Sequence, residues 1–375
     1  MSEPRSDVKA VVFPHLDGLR FFCFLSVFFF HAFYTESKAI AQSEPYRFVR
    51  HFFRNGDLGV SFFFVLSGFL ITYLLLEEKG RFGKIHIAYF YMRRVLRIWP
   101  LYFACVGFGF LVFPLLKTLA GVQPQETANP LMYMLFLGNF DVIRNGLPDA
   151  GILGVLWSVA VEEQFYLAWP LLLAAVSFGR ELWILLAVLA GSVAFRAVET
   201  NTFVLTFHTF GMVGDMAIGG LAAYAALNSR RFLAFVTSLS RPAIWAIYVA
   251  AAAVFSLDFR DTLGPFDRLG PALVFALIIL EQNYAQASLF KMGTHSTLSR
   301  LGRWTYGMYC LHMVGNVAAI QVARLLGFAG YLSNVLILVP LTSLCLTIGM
   351  AGLSYEFFER PFLRFKRRFQ FVVRE

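Results

Sequence analysis

Apolar segments recur along the chain at lengths close to those that cross a bilayer, and polar loops separate them. One of these segments, 131–140, is too short to span comfortably and is interpreted as not crossing the membrane. The sequence leaves open whether it is a re-entrant part of an extracytoplasmic cap formed by 117–151. The others predict an all-α, polytopic integral membrane helical bundle of about ten transmembrane helices, with one domain over residues 1–375. The predicted spans are 19–35, 57–76, 98–116, 152–177, 182–198, 204–226, 243–257, 269–283, 306–326 and 331–353.

The distribution of Lys and Arg predicts the orientation of these helices. If 131–140 does not cross, the two chain ends and every second loop carry 21 Lys and Arg, whereas the opposite loops carry 9. Basic residues remain preferentially on the cytoplasmic side, so both termini are predicted to be cytoplasmic. The four basic residues in 36–56, on the opposite side, do not follow this rule.

Composition fits a membrane protein and excludes several other classes. Hydrophobic residues make up 58% of the chain, charged residues 15%, and Phe occurs 43 times, which suits surfaces that face lipid. The four cysteines form no CxxC pair and are interpreted as small apolar residues, not as disulfides or metal ligands. The net charge of +9 indicates contact with anionic membrane lipids, and no nucleic-acid motif, Gly-rich phosphate loop or zinc spacing occurs.

The first apolar segment carries a basic residue and a histidine on one helical face. Arg20 and His31 are eleven residues apart, close to three turns, or about 16 Å along the axis. Ionisable groups inside a membrane helix usually face a partner or a polar cavity. His31 is therefore a candidate for moving a proton, and a histidine bonded to a backbone carbonyl is the alternative. Asp17, three residues before Arg20, favours the functional interpretation.

Residues 21–30 also resemble the core of a signal peptide, and 39–41 fit a small-residue cleavage pattern. Cleavage there would remove His31. The long leading region and Asp17 disfavour this alternative.

A second polar intrusion lies in the apolar segment 152–177. Glu162 and Glu163 are adjacent and diverge by about 100°, so they cannot face the same partner. Ser158 and Tyr166 lie about one turn on either side of Glu162, and the three are predicted to line one polar stripe. Because a buried carboxylate can fix the tautomer of an imidazole, Glu162 is predicted to orient His31. A structural ion pair with a nearby arginine is the alternative.

Three arginines, Arg93, Arg94 and Arg97, lie just before a span on the predicted cytoplasmic side. The positive-inside rule alone predicts basic residues there. Arginines interleaved with aromatic residues also suit bidentate phosphate binding next to a surface for a base. A nucleotide-bearing donor such as acyl-CoA fits this set.

Two weaker candidates lie in other apolar segments. Ser67 and Gly68 are candidates to line a pathway. Close helix packing is the simpler interpretation for Gly68, and it also applies to Gly59. His312 is a second intramembrane histidine, and the sequence indicates no partner for it. No motif predicts a metal site.

Six motifs are distributed over nearly the whole chain: HLDGLRFFCFLSVFFFH, GVSFFFVLSGFLIT, RRVLRIWPLYF, LWSVAVEEQFYLAWP, LGRWTYGMYCLH and SYEFFERP. In order and spacing they resemble membrane-bound acyltransferase family 3, whose members move acyl groups, usually acetyl, onto sugars, glycolipids and some small molecules. Many members carry a soluble hydrolase-like domain after the last span. This sequence ends about 22 residues past its last predicted span, and we expect no appended soluble domain.

The resemblance implies roles for individual positions. Arg20 and His31 match the catalytic element of the family, and Glu162 matches its more constant acidic position. The three arginines at 93, 94 and 97 match the contacts to the acyl donor. The positions that we assign to the substrate or its pathway are Asp17, Ser67, Trp157, Ser158, Glu163, Tyr166 and His312.

The sequence therefore predicts a multi-pass O-acyltransferase of a bacterial cytoplasmic membrane. The expected donor is acyl-CoA, by family default acetyl-CoA, and the acceptor is a hydroxyl of a polysaccharide, glycolipid or glycosylated metabolite. His31 would act as general base, or as a nucleophile that forms an acyl-imidazole, and Arg20 would bind a donor group or neutralise developing charge. The alternatives are a transporter or proton-coupled permease, disfavoured by the lack of an internal repeat, and a degenerate member that serves as a scaffold.

Overall fold

The computed structural model of the protein describes residues 13–257, 264–328 and 330–369, and every regular element in these ranges is helical. In the first half of the chain the α-helices are α1 (Leu16–Ala32), α2 (Lys38–Gln42), α3 (Glu44–Phe52), α4 (Leu58–Phe82), α5 (Ile87–Gly107), α6 (Phe113–Leu119), α7 (Pro130–Met134), α8 (Gly138–Asn145), α9 (Gly151–Gly154) and α10 (Leu156–Ala175). In the second half they are α11 (Glu181–Val198), α12 (Thr202–Phe207), α13 (Thr209–Asn228), α14 (Arg230–Thr237), α15 (Arg241–Ser256), α16 (Leu269–Tyr284), α17 (Ser296–Leu325), α18 (Val339–Leu353) and α19 (Arg360–Lys366). The π-helical turns are Phe108–Val112, Asn334–Leu338 and Ser354–Glu359, and the 3-10 turns are Gly264–Phe266, Met292–Thr294 and Arg367–Phe369.

The all-helical class predicted from the apolar segments is confirmed. Among the described residues, five helices are long and apolar enough to cross a membrane, and α14 with α15, bent by 90°, would make a sixth. Ten crossings and the cytoplasmic side of the termini stay predictions, and residues 1–12 and 370–375 lie outside the described ranges. The five helices are Leu58–Phe82, Ile87–Leu119, Glu181–Val198, Thr209–Asn228 and Asn334–Lys366.

Segment 131–140 does not form one continuous helix. Helices α7 and α8 are separated by a short break in which Phe136 has a φ of 55°. Gln164 of α10 donates a hydrogen bond to the carbonyl oxygen of Phe136 at 2.8 Å. Gln164 thus satisfies a backbone carbonyl at the break, as a re-entrant segment would require. Whether the segment re-enters the membrane stays a prediction.

Close helix crossings hold α4 at the centre of the bundle. A Cβ atom on Gly68 would lie 2.0 Å from the carbonyl oxygen of Met216, and one on Gly219 would lie 1.9 Å from that of Val65, so α4 and α13 touch backbone to backbone. Gly59 likewise packs on the carbonyl oxygen of Cys23 in α1. Helix packing is therefore the reason for small residues at these positions.

Helices α1 and α17 run side by side in the same direction. Gly302, near the start of α17, packs on the backbone of Asp17, near the start of α1. Fourteen residues further along each helix, Asn316 donates to the carbonyl oxygen of His31 at 3.4 Å. This parallel pairing brings the start and the end of α1 into two different environments, and both contain predicted site residues.

Candidate active site

A cavity of about 870 Å³ lies among α1, α4, α5, α10, α17 and the α18–α19 region. This volume is in the upper range for sites that bind small molecules and cofactors. Exposed lining residues, among them Pro14, Arg303 and Arg364, lie at the end of the bundle where α1 begins, so the cavity opens there. Its ionisable lining residues are Asp17, Arg20, Arg94, Arg97, Glu162, Arg303, Glu356, Glu359, Arg360, Arg364 and Lys366.

These ionisable groups give the cavity an excess of positive charge. Seven are Arg or Lys and four are Asp or Glu. Two of the acids are engaged by arginines: Asp17 pairs with Arg20 at 2.5 Å, and Glu356 pairs with Arg360. The cavity is therefore suited to a ligand that carries several negative charges.

The predicted polar stripe on α10 lines this cavity. Ser158, Glu162 and Tyr166 are all lining residues, as one-turn spacing predicts. Ser67 of α4 donates to Glu162 Oε1 at 2.5 Å and accepts a hydrogen bond from the Tyr166 hydroxyl at 3.0 Å. The guanidinium of Arg94 lies 5.5 Å from the centre of the Tyr166 ring. The half-buried carboxylate of Glu162 thus accepts from one hydroxyl, which a second hydroxyl supports, beside an arginine.

The second glutamate of the pair points elsewhere. Glu163 Oε2 accepts a hydrogen bond from the indole nitrogen of Trp99 at 2.9 Å, and Glu163 does not line the cavity. Trp157 packs edge-on against Phe64 and Phe207. The structure therefore brings neither Glu163 nor Trp157 to the predicted substrate pathway.

Of the three arginines predicted to bind the donor, only two line the cavity. Arg94 and Arg97 line the cavity. Arg93 points away from it, donates to the carbonyl oxygen of Phe369 at 2.8 Å and pairs with Glu78 at 3.4 Å. The structure therefore does not bring Arg93 to the cavity with Arg94 and Arg97, although Arg93 and Arg97 lie only about 40° apart on the helix. That the three arginines contact an acyl donor stays a prediction.

Several cavity residues were not singled out from the sequence. Their shared signal is position: they lie in the LGRWTYGMYCLH and SYEFFERP motifs and in the basic segment that follows. The π-helical turn Ser354–Glu359 brings the buried Glu359 to the cavity, where it accepts from Ser354 at 3.0 Å. Such turns are frequent at functional sites. The residues are Arg303, Tyr306, Tyr309, Glu359, Arg360, Arg364 and Lys366.

The end of α1 lies in a different setting, where two histidines meet. His312 Nε2 is 3.4 Å from His31 Nδ1, and His312 is fully buried. Asn316 donates to the backbone of His31, and Ser343 of α18 donates to the Asn316 side chain. The sequence indicated no partner for His312, and that interpretation is wrong.

The hydrogen bonds of the pair assign both tautomers. His312 Nδ1 faces the carbonyl oxygen of Tyr309 at 2.6 Å, and His31 Nδ1 faces that of Val27 at 2.9 Å. Because a carbonyl only accepts, each Nδ1 carries the hydrogen. His312 Nε2 then presents a lone pair to His31 Nδ1, and His31 Nε2 keeps its own lone pair for another reaction partner. The carbonyl contact expected of a structural histidine is therefore present. By holding the hydrogen on Nδ1, it leaves the lone pair of His31 Nε2 to accept a proton.

The structure contradicts the predicted contact between Glu162 and His31. In the described ranges, the hydrogen-bond partners of the His31 ring are Val27 and His312, and the Glu162 carboxylate accepts from Ser67. Helix α4 runs antiparallel to α1, with Gly59 against Cys23, and Ser67 lies about 12 Å further towards the start of α1. Glu162 is consequently level with the Arg20 end of α1.

A short chain of contacts links the cavity to the histidine pair. The hydroxyls of Ser158 and Tyr309 lie 2.6 Å apart at the inner end of the cavity. Tyr309 also supplies the carbonyl that fixes His312, one helical turn further along α17. The cavity therefore ends about one turn short of the two histidines, neither of which lines it.

Comparisons with known proteins fit this arrangement. An acyltransferase domain family matches residues 13–355 of the chain. The putative peptidoglycan O-acetyltransferase YrhL of Bacillus subtilis is 26% identical over 95% of the chain, and the O-acetyltransferase OatA of Staphylococcus aureus is 26% identical over 93%. The chain covers 56% and 57% of these two proteins, little more than half of their lengths.

The acyltransferase MdmB of Streptomyces mycarofaciens is also 26% identical, over 95% of the chain and 93% of its own length. No solved structure matches significantly. The family match includes both ends of α1, the α10 stripe and His312. It confirms the resemblance predicted from the six motifs, and the chain belongs to this acyltransferase family.

Proposed function

We propose that this protein is a multi-pass membrane O-acyltransferase that moves an acetyl group from acetyl-CoA to a hydroxyl of a cell-surface glycan or glycolipid. The observation that carries the proposal is the arginine-lined cavity whose inner end stops one helical turn from a pair of tautomerically fixed histidines. A bacterial cytoplasmic membrane, crossed ten times with both termini inside, is the setting that we infer from the distribution of basic residues.

The donor enters at the end where α1 begins. Its phosphates bind the arginines that line the mouth, among them Arg97, Arg303 and Arg364, because guanidinium groups bind phosphate bidentately. The thioester arm then extends inward past Arg20 and Glu162 towards Ser158 and Tyr309. Donor entry from the cytoplasm follows if the predicted orientation holds.

His31 is the general base in the transfer. Its Nε2 takes the proton of the acceptor hydroxyl while the hydroxyl oxygen attacks the acyl carbon. The carbon–sulfur bond breaks, and the proton on His31 passes to the leaving thiolate. His312 Nε2 shares the Nδ1 hydrogen of His31 with the carbonyl oxygen of Val27, as the more distant of two acceptors, and so helps to stabilise the imidazolium that forms in between. Arg20 neutralises negative charge on the donor side.

The names of two relatives guide the choice of acceptor class. YrhL and OatA carry names that refer to O-acetylation, and for YrhL to peptidoglycan. A glycan or glycolipid hydroxyl at the membrane surface is the acceptor that we propose here. It approaches from the end of the bundle where α1 terminates, opposite to the mouth of the cavity, so that transfer takes place across the membrane.

The test follows labelled acetyl-CoA in membranes that contain the wild type, His31→Ala or Glu163→Gln, with extracted glycolipid and polysaccharide as acceptors. Glu163 is the matched control because it lies beside Glu162 but outside the cavity. We expect transfer by the wild type and by Glu163→Gln, and none by His31→Ala at equal abundance in the membrane. Transfer that survives His31→Ala would refute the mechanism. Uptake of a solute without any labelled product would support a transporter instead.

A further inference from the structure

The inner end of the cavity is apolar, in contrast to its charged mouth. On α10, Glu162 is followed inward by Ser158, which lies four residues, or about 6 Å, deeper. On α4, Ser67 donates to Glu162, and the deeper lining residues include Phe63 and Val60. The described lining residues of α4, α10 and α17 beyond the level of Glu162 are uncharged. This end is therefore suited to an uncharged group.

Two aromatic rings close this end. The hydroxyl of Tyr309 lies 2.6 Å from that of Ser158 and 3.2 Å from the carbonyl oxygen of Val155, so two contacts fix the position of the Tyr309 ring. The half-buried ring of Phe63 packs edge-on against it, with the ring centres 6.1 Å apart. The rings of Tyr309 and Phe63 thus form an aromatic wall across the path of a donor that enters from the mouth.

Closely packed side chains lie behind the aromatic wall. Phe64, next to Phe63 on α4, is fully buried and meets the ring of Trp157 edge-on. The ring of His312 is also fully buried, and its centre lies 5.8 Å from that of the Tyr309 ring. Because protein interiors are close-packed, these side chains cannot move aside for extra atoms without strain. The depth of the inner end is therefore limited.

We propose that Val60, Phe63 and Tyr309 select the length of the acyl group, admitting acetyl and propionyl and disfavouring butyryl and longer chains. The acyl group is the leading end of the donor's thioester arm, so it is the part that meets the aromatic wall. The depth of about 6 Å beyond Glu162 suits two or three carbons, because each carbon–carbon bond adds about 1.5 Å. The inference rests on the proposed function in one respect, since it takes an acyl-CoA as the donor.

The test measures donor binding without any acceptor. The full chain, in nanodiscs of phosphatidylcholine, is equilibrated with labelled acetyl-CoA, which is then displaced by unlabelled acetyl-CoA, propionyl-CoA, butyryl-CoA or hexanoyl-CoA. We expect the affinities for acetyl-CoA and propionyl-CoA to agree within about fourfold, the contribution of one buried methylene. Butyryl-CoA and hexanoyl-CoA should bind at least about tenfold more weakly than acetyl-CoA, since forcing extra methylenes into a packed apolar site typically costs such a factor.

Three substitutions on α4 locate the selection. Phe63→Leu makes room at the aromatic wall, so butyryl-CoA should bind about fivefold more tightly than to the wild type, with the affinity for acetyl-CoA nearly unchanged. Val60→Leu adds one methylene to the inner end and should weaken binding of propionyl-CoA about fivefold. Phe62→Leu is the matched control, because the ring of Phe62 packs against Phe275 of α16 and does not line the cavity. It should leave the order of the four affinities unchanged.

Equal binding of acetyl-CoA and butyryl-CoA to the wild type would overturn the proposal. So would a length preference that is the same in Phe63→Leu and Val60→Leu as in the wild type, or loss of acetyl-CoA binding in Phe63→Leu. If acetyl transfer to a glycan proceeds but the donors bind without regard to length, only the length selection is refuted. If binding depends on length as expected and no acceptor becomes labelled, the proposed acetyl transfer fails while the length selection stands.

Discussion

The two ends of α1 lie in contrasting surroundings, which under the proposed mechanism serve two kinds of chemistry. At its start, Arg20 lies in a wide cavity with ten other ionisable side chains. At its end, the half-buried ring of His31 packs edge-on against Phe30 and meets one fully buried ring, that of His312. The first end carries many charged groups, whereas hydrogen bonds at the second end fix the position of two hydrogens. Under the proposed mechanism, binding and proton transfer are separated along α1.

The cost of burial explains the difference. A charged group in a low-dielectric interior needs partners, and at the cavity end those are counter-ions and hydroxyls, such as Ser67 for Glu162. A neutral histidine needs only one acceptor for its N–H, and a backbone carbonyl suffices. While His31 and His312 are neutral, the histidine end therefore needs no counter-ion.

The largest effect is expected for His31→Ala, which removes the base and leaves the cavity intact. General base catalysis contributes about 10²-fold to 10⁴-fold, so kcat should fall by about a thousandfold while the KM for acetyl-CoA changes little. Initial rates at varied donor concentration give both constants. An equal rise in KM would show that the two ends of α1 are not separate.

His312→Phe tests the contact between the two histidine rings. Phenylalanine fills the buried space but cannot accept the Nδ1 hydrogen of His31, so kcat should fall about tenfold to a hundredfold with the KM unchanged. Loss of a group that fixes a functional imidazole typically has effects of this size. His312→Asn, which keeps an acceptor, should recover part of the rate. If both variants behaved alike, His312 would be a packing residue only.

The polar stripe at the cavity end was predictable from the sequence, and the contact at the histidine end was not. Ser158, Glu162 and Tyr166 lie at four-residue intervals on one helix, so helical geometry alone places them on one face. The contact between His31 and His312 joins residues 281 apart in the chain, and no local pattern indicates which helix packs beside α1. For the same reason, the sequence analysis predicted His31 as the partner of Glu162, whereas the structure has Ser67.

The fold shows the same division. Apolar segments predicted the positions of the long helices, and small residues predicted close packing, as at Gly68. The break at Phe136 and the π-helical turn before α19 were not predictable, because they depend on partners in other helices.

An effect on binding alone is expected at the cavity end. Arg97→Gln removes a charge that lines the cavity, and the KM for acetyl-CoA should rise about tenfold, in line with the loss of one charge-assisted hydrogen bond. Arg93→Gln is the matched control on the same helix, since Arg93 contacts Phe369 and Glu78 and not the cavity. Its KM should stay within about twofold of the wild type, and a larger rise would place Arg93 in the donor site after all.

The smallest effect is expected at the ion pair between Asp17 and Arg20, which lies inside the cavity. The pair between Asp17 and Arg20 is partly exposed, with side-chain exposures of 26% and 20%, and such pairs contribute little to stability. Asp17→Asn keeps the shape, removes one negative charge and leaves Arg20 available to the donor, so the KM for acetyl-CoA should fall by about twofold with kcat unchanged. Donor titrations at low and high salt would check the cause, because screening should abolish the difference. A fall in kcat would instead mean that Asp17 positions Arg20 for the reaction, and that the start of α1 takes part in the chemistry as well as in binding.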